Sequence, residues 1–393
     1  MKKNVWQILP TVFLLSLILS CKKEPINSKE TGTNSTLLDK RHGNNCPPAS
    51  MRIFSGGLNN PRGLKFGPDG NLYVAEGGKG GSNSTALLCT QVIPPVGPYM
   101  GSNSGGRISR INAAGVRSTV TDKLPSSQTS PALGQLISGV ADVEFIDNTL
   151  YALLAGAGCS HGVTSLPNGV VKIKSNWSYS LLANLSAWQM AHPVKNPEPD
   201  DFEPDGTWYS MINVRDNLYA VEPNHGELVK VTPGGNISRV ADISASQGHI
   251  VPTAIAYRGN FFVGNLNTFP IVDGSSKILK ITPGGHVEVW ATGFTTILGL
   301  VFDENGNLYV LENTEGAPGP TAGLGKIIRI DKKGNRKIIF AGLSLPTGMT
   351  MGEDGNLYVS NWGFGPPALG GGQVLQIKLS ECDKNGDDDQ QEN

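Results

Sequence analysis

The hydrophobic and polar positions of this chain repeat as a short hairpin pattern. Residues 69–74, Asp-Gly-Asn-Leu-Tyr-Val, place a turn signal ahead of aromatic and β-branched residues, and close copies begin at Asn305 and Asp354. Looser copies begin at Asn148, Asp216 and Gly259. Gly or Asn turns between such runs are typical of tight β-hairpins. The pattern therefore predicts a series of hairpins in six repeats.

The residues that flank each copy indicate four strands per repeat. The fifth repeat shows this most fully, with apolar runs at 297–302, 307–312, 326–330 and 336–343. The last copies lie about 40 to 50 residues apart, which is the period of a propeller blade. The sixth repeat stops after its third run, and an unmatched run, 52–58, stands at the start. The sequence therefore predicts an all-β fold, a six-bladed β-propeller of four-stranded blades, with the last blade closed by the N-terminal strand.

The N-terminal residues are typical of an exported lipoprotein. Lys2 and Lys3 precede an apolar run that ends in Cys21, as in a signal peptide with a lipidated cysteine, and an ordinary cleaved signal is the alternative. We expect a signal peptide at 1–20, lipidated Cys21 with a flexible tether at 21–50, the propeller at 51–380 and an acidic tail at 381–393. Lys22 after Cys21 predicts an outer-membrane lipoprotein, and whether it faces the periplasm or the surface stays open.

Composition narrows the class of partner. The chain has 393 residues with 50 Gly and 26 Pro, which favours turns over long helices, and its formal charge of -1 provides no basic excess for nucleic acid. We therefore expect a monomer that binds a small molecule, glycan or peptide and contacts the membrane only through its lipid anchor.

The long segments between strands fall at one end of the predicted blades. They follow the second strand of a blade or join one blade to the next, at 77–104, 155–168, 187–204, 264–276, 313–325 and 362–372. We call this end the rim and the opposite end the short-turn face. Tolerated surface insertions would be scattered, so the asymmetry predicts a functional rim around the channel mouth.

Oxygen donors recur at the rim end of the second strands. They occupy the same register in five repeats, as Glu76, Glu222, Asn265, Glu312 and Asn361. Together they predict a ligand-binding ring, in which Glu76, Glu222 and Glu312 would accept Ca²⁺ or another divalent cation as cofactor. Local capping of each loop is the alternative. Asp142 on the second inner strand should border the channel, as a ligand-binding group or as a hydrogen-bond hub.

Histidines and cysteines complete the candidate chemistry. His161 and His225 follow the second strands of neighbouring blades and would be catalytic only if the protein is an enzyme, as general base or zinc ligand. Ordinary loop histidines are the alternative. In an exported chain we expect two disulfides, Cys46–Cys382 beside the closing strand and Cys89–Cys159 between neighbouring rim loops.

Several motifs together resemble one family. These are 60–64, 67–78, the Cys89 loop, 105–108 and the Gly-Ala-Gly-Cys-Ser-His-Gly loop at 156–162, and they look like the ScyD/ScyE family of propellers. The resemblance covers about 51–380 and implies a propeller and export. With the elaborated rim, we expect a binding scaffold. The NHL-like repeat also resembles streptogramin lyase and the gluconolactonase-like group, which implies the alternative of a metal-assisted lyase or hydrolase. The chain departs from that group ahead of the inner-strand glycines, where it has Arg62, Leu298 and Thr347 in place of Asp.

Overall fold

The computed structural model describes residues 48–198, 202–365, 368–380 and 383. The predictions for the signal peptide, for lipidated Cys21 and for the Cys46–Cys382 bridge lie outside the described residues. So do nearly all of the tether and most of the acidic tail.

The strands of the described residues form six antiparallel sheets. The N-terminal strand is β1 (Ser50–Asn59). Blade 1 contains β2 (Pro61–Phe66), β3 (Leu72–Glu76), β4 (Met100–Ile111), β5 (Arg117–Gln128) and a short fifth strand, β6 (Ile137–Ser138). Blade 2 contains β7 (Val140–Ile146), β8 (Thr149–Leu154), β9 (Gly169–Ile173) and β10 (Tyr179–Asn184). Blade 3 contains β11 (Ser210–Val214), β12 (Asn217–Glu222), β13 (Glu227–Val231) and β14 (Ile237–Asp242).

The remaining blades follow the same order. Blade 4 contains β15 (Pro252–Arg258), β16 (Asn260–Asn265), β17 (Ser276–Ile281) and β18 (Val287–Phe294). Blade 5 contains β19 (Ile297–Phe302), β20 (Leu308–Glu312), β21 (Gly325–Ile330) and β22 (Arg336–Leu343). Blade 6 contains β23 (Gly348–Met351), β24 (Leu357–Asn361) and β25 (Gly372–Lys378), and β1 is its outer strand.

The first strands of the blades contact one another in sequence, and β23 contacts β2, so the sheets close into a ring. The closure uses both ends of the domain, because β1 pairs with β25 from Ser50 opposite Lys378 to Leu58 opposite Gly372. The predicted six-bladed propeller with an N-terminal closing strand is therefore confirmed. Closure covers the edges that an open ring of sheets would expose.

The hydrophobic core is divided among the spaces between blades. In the described part of the chain, each of six clusters joins one sheet to the next. The second strands are covered on both faces, so β3 is buried along its whole length, whereas the outer strand β18 is mostly exposed. This is why the second strands read as continuous apolar runs in the sequence.

The repeated sequence signature is a turn held by its own side chains. Asp69 accepts hydrogen bonds from the backbone N–H and the side-chain amide of Asn71 and from the Tyr73 hydroxyl at 3.0 Å. Asp354 accepts the same set in blade 6. Gly70 between these residues has a φ of +73°, which favours glycine. The Asp-Gly-Asn-Leu-Tyr pattern therefore encodes the same hydrogen-bonded hairpin turn each time it occurs.

Short helices connect some of the strands. They are α1 (Leu185–Ala191), α2 (Ser244–Gln247) and α3 (Ala368–Gly371). Among the described residues, no helix has the length and apolar character that a membrane span requires.

Candidate functional site: the central channel

The first strands of all six blades enclose a cavity of about 510 Å³ along the axis of the ring. Its lining residues come from these strands and from positions next to them, and it extends from Tyr209 near the rim to Arg215 near the short-turn face. None of the long rim segments lines this cavity within the described residues. A volume of this size is within the usual range of small-molecule sites.

One wall of the channel carries charged side chains. Asp142 and Glu144 lie two residues apart on β7 and both line the cavity. The Asp142 carboxylate accepts hydrogen bonds from the backbone N–H groups of Val143 and Met211, each at 2.8 Å. These contacts fasten β7 to β11 of the next blade.

Glu144 repeats this arrangement one step further along the channel. Its carboxylate accepts hydrogen bonds from the Phe145 N–H at 2.8 Å and from the Asn213 N–H at 3.2 Å. The Lys65 ammonium of β2 lies 2.9 Å from the same carboxylate. Glu144 therefore has a cationic partner, whereas the hydrogen bonds to Asp142 come from neutral backbone groups.

The position of Asp142 depends on a glycine in the neighbouring blade. A Cβ atom added to Gly63 would lie 1.9 Å from Asp142 Oδ1, which no side chain could accept without displacing the carboxylate. Burial raises the pKa of Asp142 to about 7, the negative charge of Glu144 adds to this, and the N–H groups of Met211 and Val143 act in the opposite direction. This carboxyl group can therefore hold or release a proton near neutral pH.

Polar side chains cross the rim end of the channel. Arg62 donates from Nη1 to the Gly363 carbonyl and from Nη2 to the Ile137 carbonyl, both at 2.6 Å. The Tyr209 hydroxyl donates to the Thr347 carbonyl at 2.9 Å, which links blade 3 to blade 6 on the opposite side of the ring. Burial lowers the pKa of Arg62 and raises that of Tyr209. The channel is therefore bridged at its rim end.

The wall formed by blades 4 to 6 is largely apolar. Blades 4 to 6 contribute Ala254, Ala256, Leu298, Leu300 and Met349 to the lining. The cavity thus has a charged side, formed by blades 1 and 2, and an apolar side across from it.

The five oxygen donors predicted as a ring lie at the rim ends of the second strands, and all five are buried. Among the six residues predicted to bind a ligand, Asp142 alone lines the cavity within the described residues. Each of the other five accepts a hydrogen bond from a backbone N–H group. The donors are Asn59 for Glu76, Thr207 for Glu222, Lys277 for Asn265, Thr295 for Glu312 and Ser344 for Asn361.

In four of these pairs the donor lies just ahead of the blade's first strand. Asn265 reaches the same point through its amide, which donates to the Ile250 carbonyl at 2.7 Å. These contacts are those of the capping alternative, and the ligand-binding role of the five residues stays a prediction.

The three glutamates proposed to bind a metal lie apart. Glu76 is paired with Arg107 and also accepts from the Ser109 hydroxyl, and Glu312 lies 3.2 Å from the Lys326 ammonium. Glu222 accepts a second hydrogen bond from the His225 N–H. Among the described residues, no three His, Cys, Asp or Glu side chains are grouped closely enough to hold a metal ion. Glu76, Glu222 and Glu312 therefore do not form one metal site, and no chemical step is assigned to a metal.

His161 and His225 are buried beside the segment that leads into blade 3. The His161 ring contacts the Ser127 hydroxyl at 3.0 Å and the Gly206 carbonyl at 3.2 Å, and burial lowers its pKa to about 4. His225 Nε2 lies 3.0 Å from the Glu203 carbonyl oxygen. Neither histidine lines the channel, and the catalytic role of both stays a prediction.

The predicted Cys89–Cys159 disulfide is present, with a Cα–Cα distance of 6.3 Å. It joins the first rim loop of blade 1 to the first rim loop of blade 2. A disulfide between two rim loops restricts how far either loop can move away from the other.

Sequence reasoning did not single out Lys65, Glu144 or Tyr209. Glu144 had a detectable signal, because it lies two residues after Asp142 on the same inner strand and must face the same side. Tyr209 had none, because its hydroxyl reaches a blade that lies far away in sequence.

No family model matches this sequence, and no curated protein matches it. Solved structures do resemble it. A calcium-binding regucalcin from Agrobacterium tumefaciens has a TM-score of 0.52 at 12% identity, covering 85% of this chain and 95% of that one.

Two further structures are similar to the same extent. A gluconolactonase from Xanthomonas campestris has a TM-score of 0.50 at 10% identity, covering 84% of this chain and 90% of that one. A putative glucose dehydrogenase from Thermus thermophilus has a TM-score of 0.50 at 17% identity, covering 84% and 99%. At these identities the likeness shows that the chain shares the β-propeller fold.

Proposed function

We propose that this propeller acts on a small molecule in its central channel as a hydrolase or lyase, with Asp142 as the group that transfers protons. The observation that carries the proposal is a carboxyl group of pKa about 7 on the wall of a cavity of about 510 Å³. A catalytic acid or base works best when its pKa lies near the working pH. The fold is shared with a gluconolactonase, which supports this class of reaction.

The channel walls define the kind of substrate. The charged side would hydrogen-bond hydroxyl or amine groups through Asp142 and Glu144, and the apolar side would contact a carbon skeleton. A cyclic ester or a small polyhydroxylated ring has one polar edge and one apolar face, as this arrangement requires. In ester hydrolysis, Asp142 would take a proton from the attacking water and return it to the oxygen that leaves the carbonyl carbon.

The test is hydrolysis of glucono-1,5-lactone, followed by acid release with the spontaneous rate subtracted. We expect Asp142→Asn to lower the rate by about a hundredfold or more, because general acid–base catalysis contributes roughly that much. Asp122→Asn is the matched control, since Asp122 is exposed on the outer strand β5. A parent protein that hydrolyses neither this lactone nor simple aryl esters would overturn the enzymatic proposal.

The second candidate function is binding without turnover, as a scaffold for a small molecule, glycan or peptide. The observation that favours it is that both Asp142 oxygens already accept backbone hydrogen bonds, which is how a structural carboxylate is held. Saturable binding of a lactone or sugar in calorimetry, with no product formed, would select this function.

We also propose that the protein is a monomeric outer-membrane lipoprotein of the ScyD/ScyE type, anchored through Cys21. The signal-like N-terminus and the Gly-rich rim motifs support this proposal. Metabolic labelling with a fatty acid, compared between the parent and Cys21→Ser, tests the anchor.

A further inference from the structure

Exposed aliphatic side chains are concentrated on two touching rim loops. They form a group that we call the leucine patch: Leu87, Leu88, Ile93, Leu133 and Leu136, with exposures of 100, 71, 49, 38 and 37%. The two loops are joined by the Ser130 N–H, which donates to the Val96 carbonyl at 2.9 Å, and by the Ser130 hydroxyl, which donates to Pro95. Contiguous exposed apolar surface marks a site of contact with a partner or a membrane.

The loop segment that carries Leu87 and Leu88 is anchored by hydrogen bonds and by a disulfide. The Leu88 N–H donates to the Thr85 carbonyl at 2.9 Å and closes a turn. The Thr85 hydroxyl donates to the Cys159 carbonyl. The next residue, Cys89, is bound to Cys159. These contacts fix the backbone on both sides of Leu87 and Leu88, whose side chains are exposed to solvent.

Charge is absent from both loops. Residues 80–106 and 124–141 contain no Asp, Glu, Lys, Arg or His. Such a surface can enter an apolar phase without the large cost of removing an ion from water. It also offers no attraction to an anionic surface.

Exposed apolar residues continue around the same rim. Phe269 and Val272 lie on the blade 4 loop, and Leu324 lies on the blade 5 loop. On the short-turn face, by contrast, the large exposed apolar residues of the described turns are Val116 and Trp177.

We infer that the rim docks on the surface of a lipid bilayer of neutral or zwitterionic headgroups, with the leucine patch entering the boundary between headgroups and acyl chains. A protein partner is less suited to this surface, because protein hot spots are enriched in Trp, Tyr and Arg, whereas Leu, Ser and Thr are under-represented. Interfacial membrane binding scales with the apolar area that is buried. This contact is additional to any acyl anchor and does not involve the channel.

The test uses the full chain carrying Cys21→Ser, so that no acyl group contributes, sedimented with phosphatidylcholine vesicles. We expect the parent to bind, and Leu87→Asp with Leu88→Asp to lower the partition coefficient by about tenfold or more, since two apolar side chains are lost from the contact. The matched control places the same two charges on the opposite face, as Val116→Asp with Trp177→Asp, and should bind as the parent does. A parent that stays in the supernatant, or two pairs that lose binding equally, would overturn the proposal.

Two further measurements separate bilayer docking from self-association. The Leu87→Trp variant should show an additional blue shift of tryptophan emission when vesicles are added, which reports the depth of the loop without weakening the patch. Sedimentation velocity without lipid examines the oligomeric state. If the parent dimerises and the Leu87, Leu88 pair abolishes the dimer, the patch is an interface between two copies and the bilayer assignment is wrong.

Discussion

Two sets of carboxylates in this propeller differ in what surrounds them. Glu76, Glu222 and Glu312 lie at strand ends in three blades, and each accepts an N–H from the segment entering its own blade. Asp142 and Glu144 lie in the channel wall of one blade and join it to the next. In a repeat protein, an acid that recurs at the same position in several blades has a structural role shared by those blades. An acid that occurs in one blade only must have a role specific to that place.

The largest expected effect on stability comes from the glutamates at the strand ends. Glu76 is fully buried and paired with Arg107 at 2.5 Å, so Glu76→Gln would leave the guanidinium without its counter-charge. We expect a loss of roughly 3 to 5 kcal/mol in the free energy of unfolding, as for other broken buried pairs. Urea unfolding measures it. Glu288→Gln, which breaks the exposed pair with Lys280, is the control and should have no measurable effect. Equal losses in both variants would show that burial is not the cause.

The second effect concerns the space that the Asp142 carboxylate occupies beside Gly63. Gly63→Ala should destabilise the protein by about 1 to 3 kcal/mol, because the new Cβ would overlap the Asp142 carboxylate. Adding Asp142→Ala should recover part of this loss, and a double-mutant cycle in urea measures the coupling. Gly319→Ala is the control, since a Cβ added at Gly319 would project into open space. Additive losses would mean that Gly63 and Asp142 do not compete for space.

The third effect is the pH dependence of stability. The pKa of Asp142 is raised to about 7 in the folded protein, so the folded state binds the proton more tightly than the unfolded chain does. This stabilisation is complete below about pH 4 and is lost as the pH rises through 7, with a slope of at most about 1.4 kcal/mol per pH unit. Comparing urea unfolding of the parent and Asp142→Asn from pH 4 to 8 isolates the contribution. A difference that does not change with pH would contradict the raised pKa.

The smallest effect is expected from divalent cations. The strand-end glutamates already have their partners, and within the described residues no group of acids is arranged to hold a metal. Thermal melts with calcium and with a chelator should therefore coincide, for the parent and for Glu222→Gln alike. A calcium-dependent rise in melting temperature that disappears in Glu222→Gln would restore the predicted metal site.

The sequence predicted the fold well because the fold repeats its local chemistry. A few consecutive residues are enough to recognise each of its features. These are the Asp69 turn, its copy at Asp354 and the unmatched run at 52–58. The Cys89–Cys159 pairing followed once the blades had been placed in order. The same local information predicts β-strand ends, which is why Glu76 and its equivalents were found.

The channel could not be predicted in the same way. Its polar contacts join residues from different blades, such as Tyr209 with Thr347 and Asp142 with Met211. Their partners are determined by the closure of the ring and by the lengths of the side chains that cross the channel. Neither produces a periodic pattern in the sequence. A glycine such as Gly63 is informative only when the side chain that fills its space is known.

The pairing of β1 with β25 has a mechanical consequence. Ser50 faces Lys378, so the first strand begins and the last strand ends at the same end of one antiparallel ladder. A force that pulls these two ends apart would load the ladder hydrogen bonds one pair after another, as in opening a zipper, instead of shearing them together. Where the predicted Cys46–Cys382 bridge is reduced, blade 6 should therefore open at modest tension before any other blade.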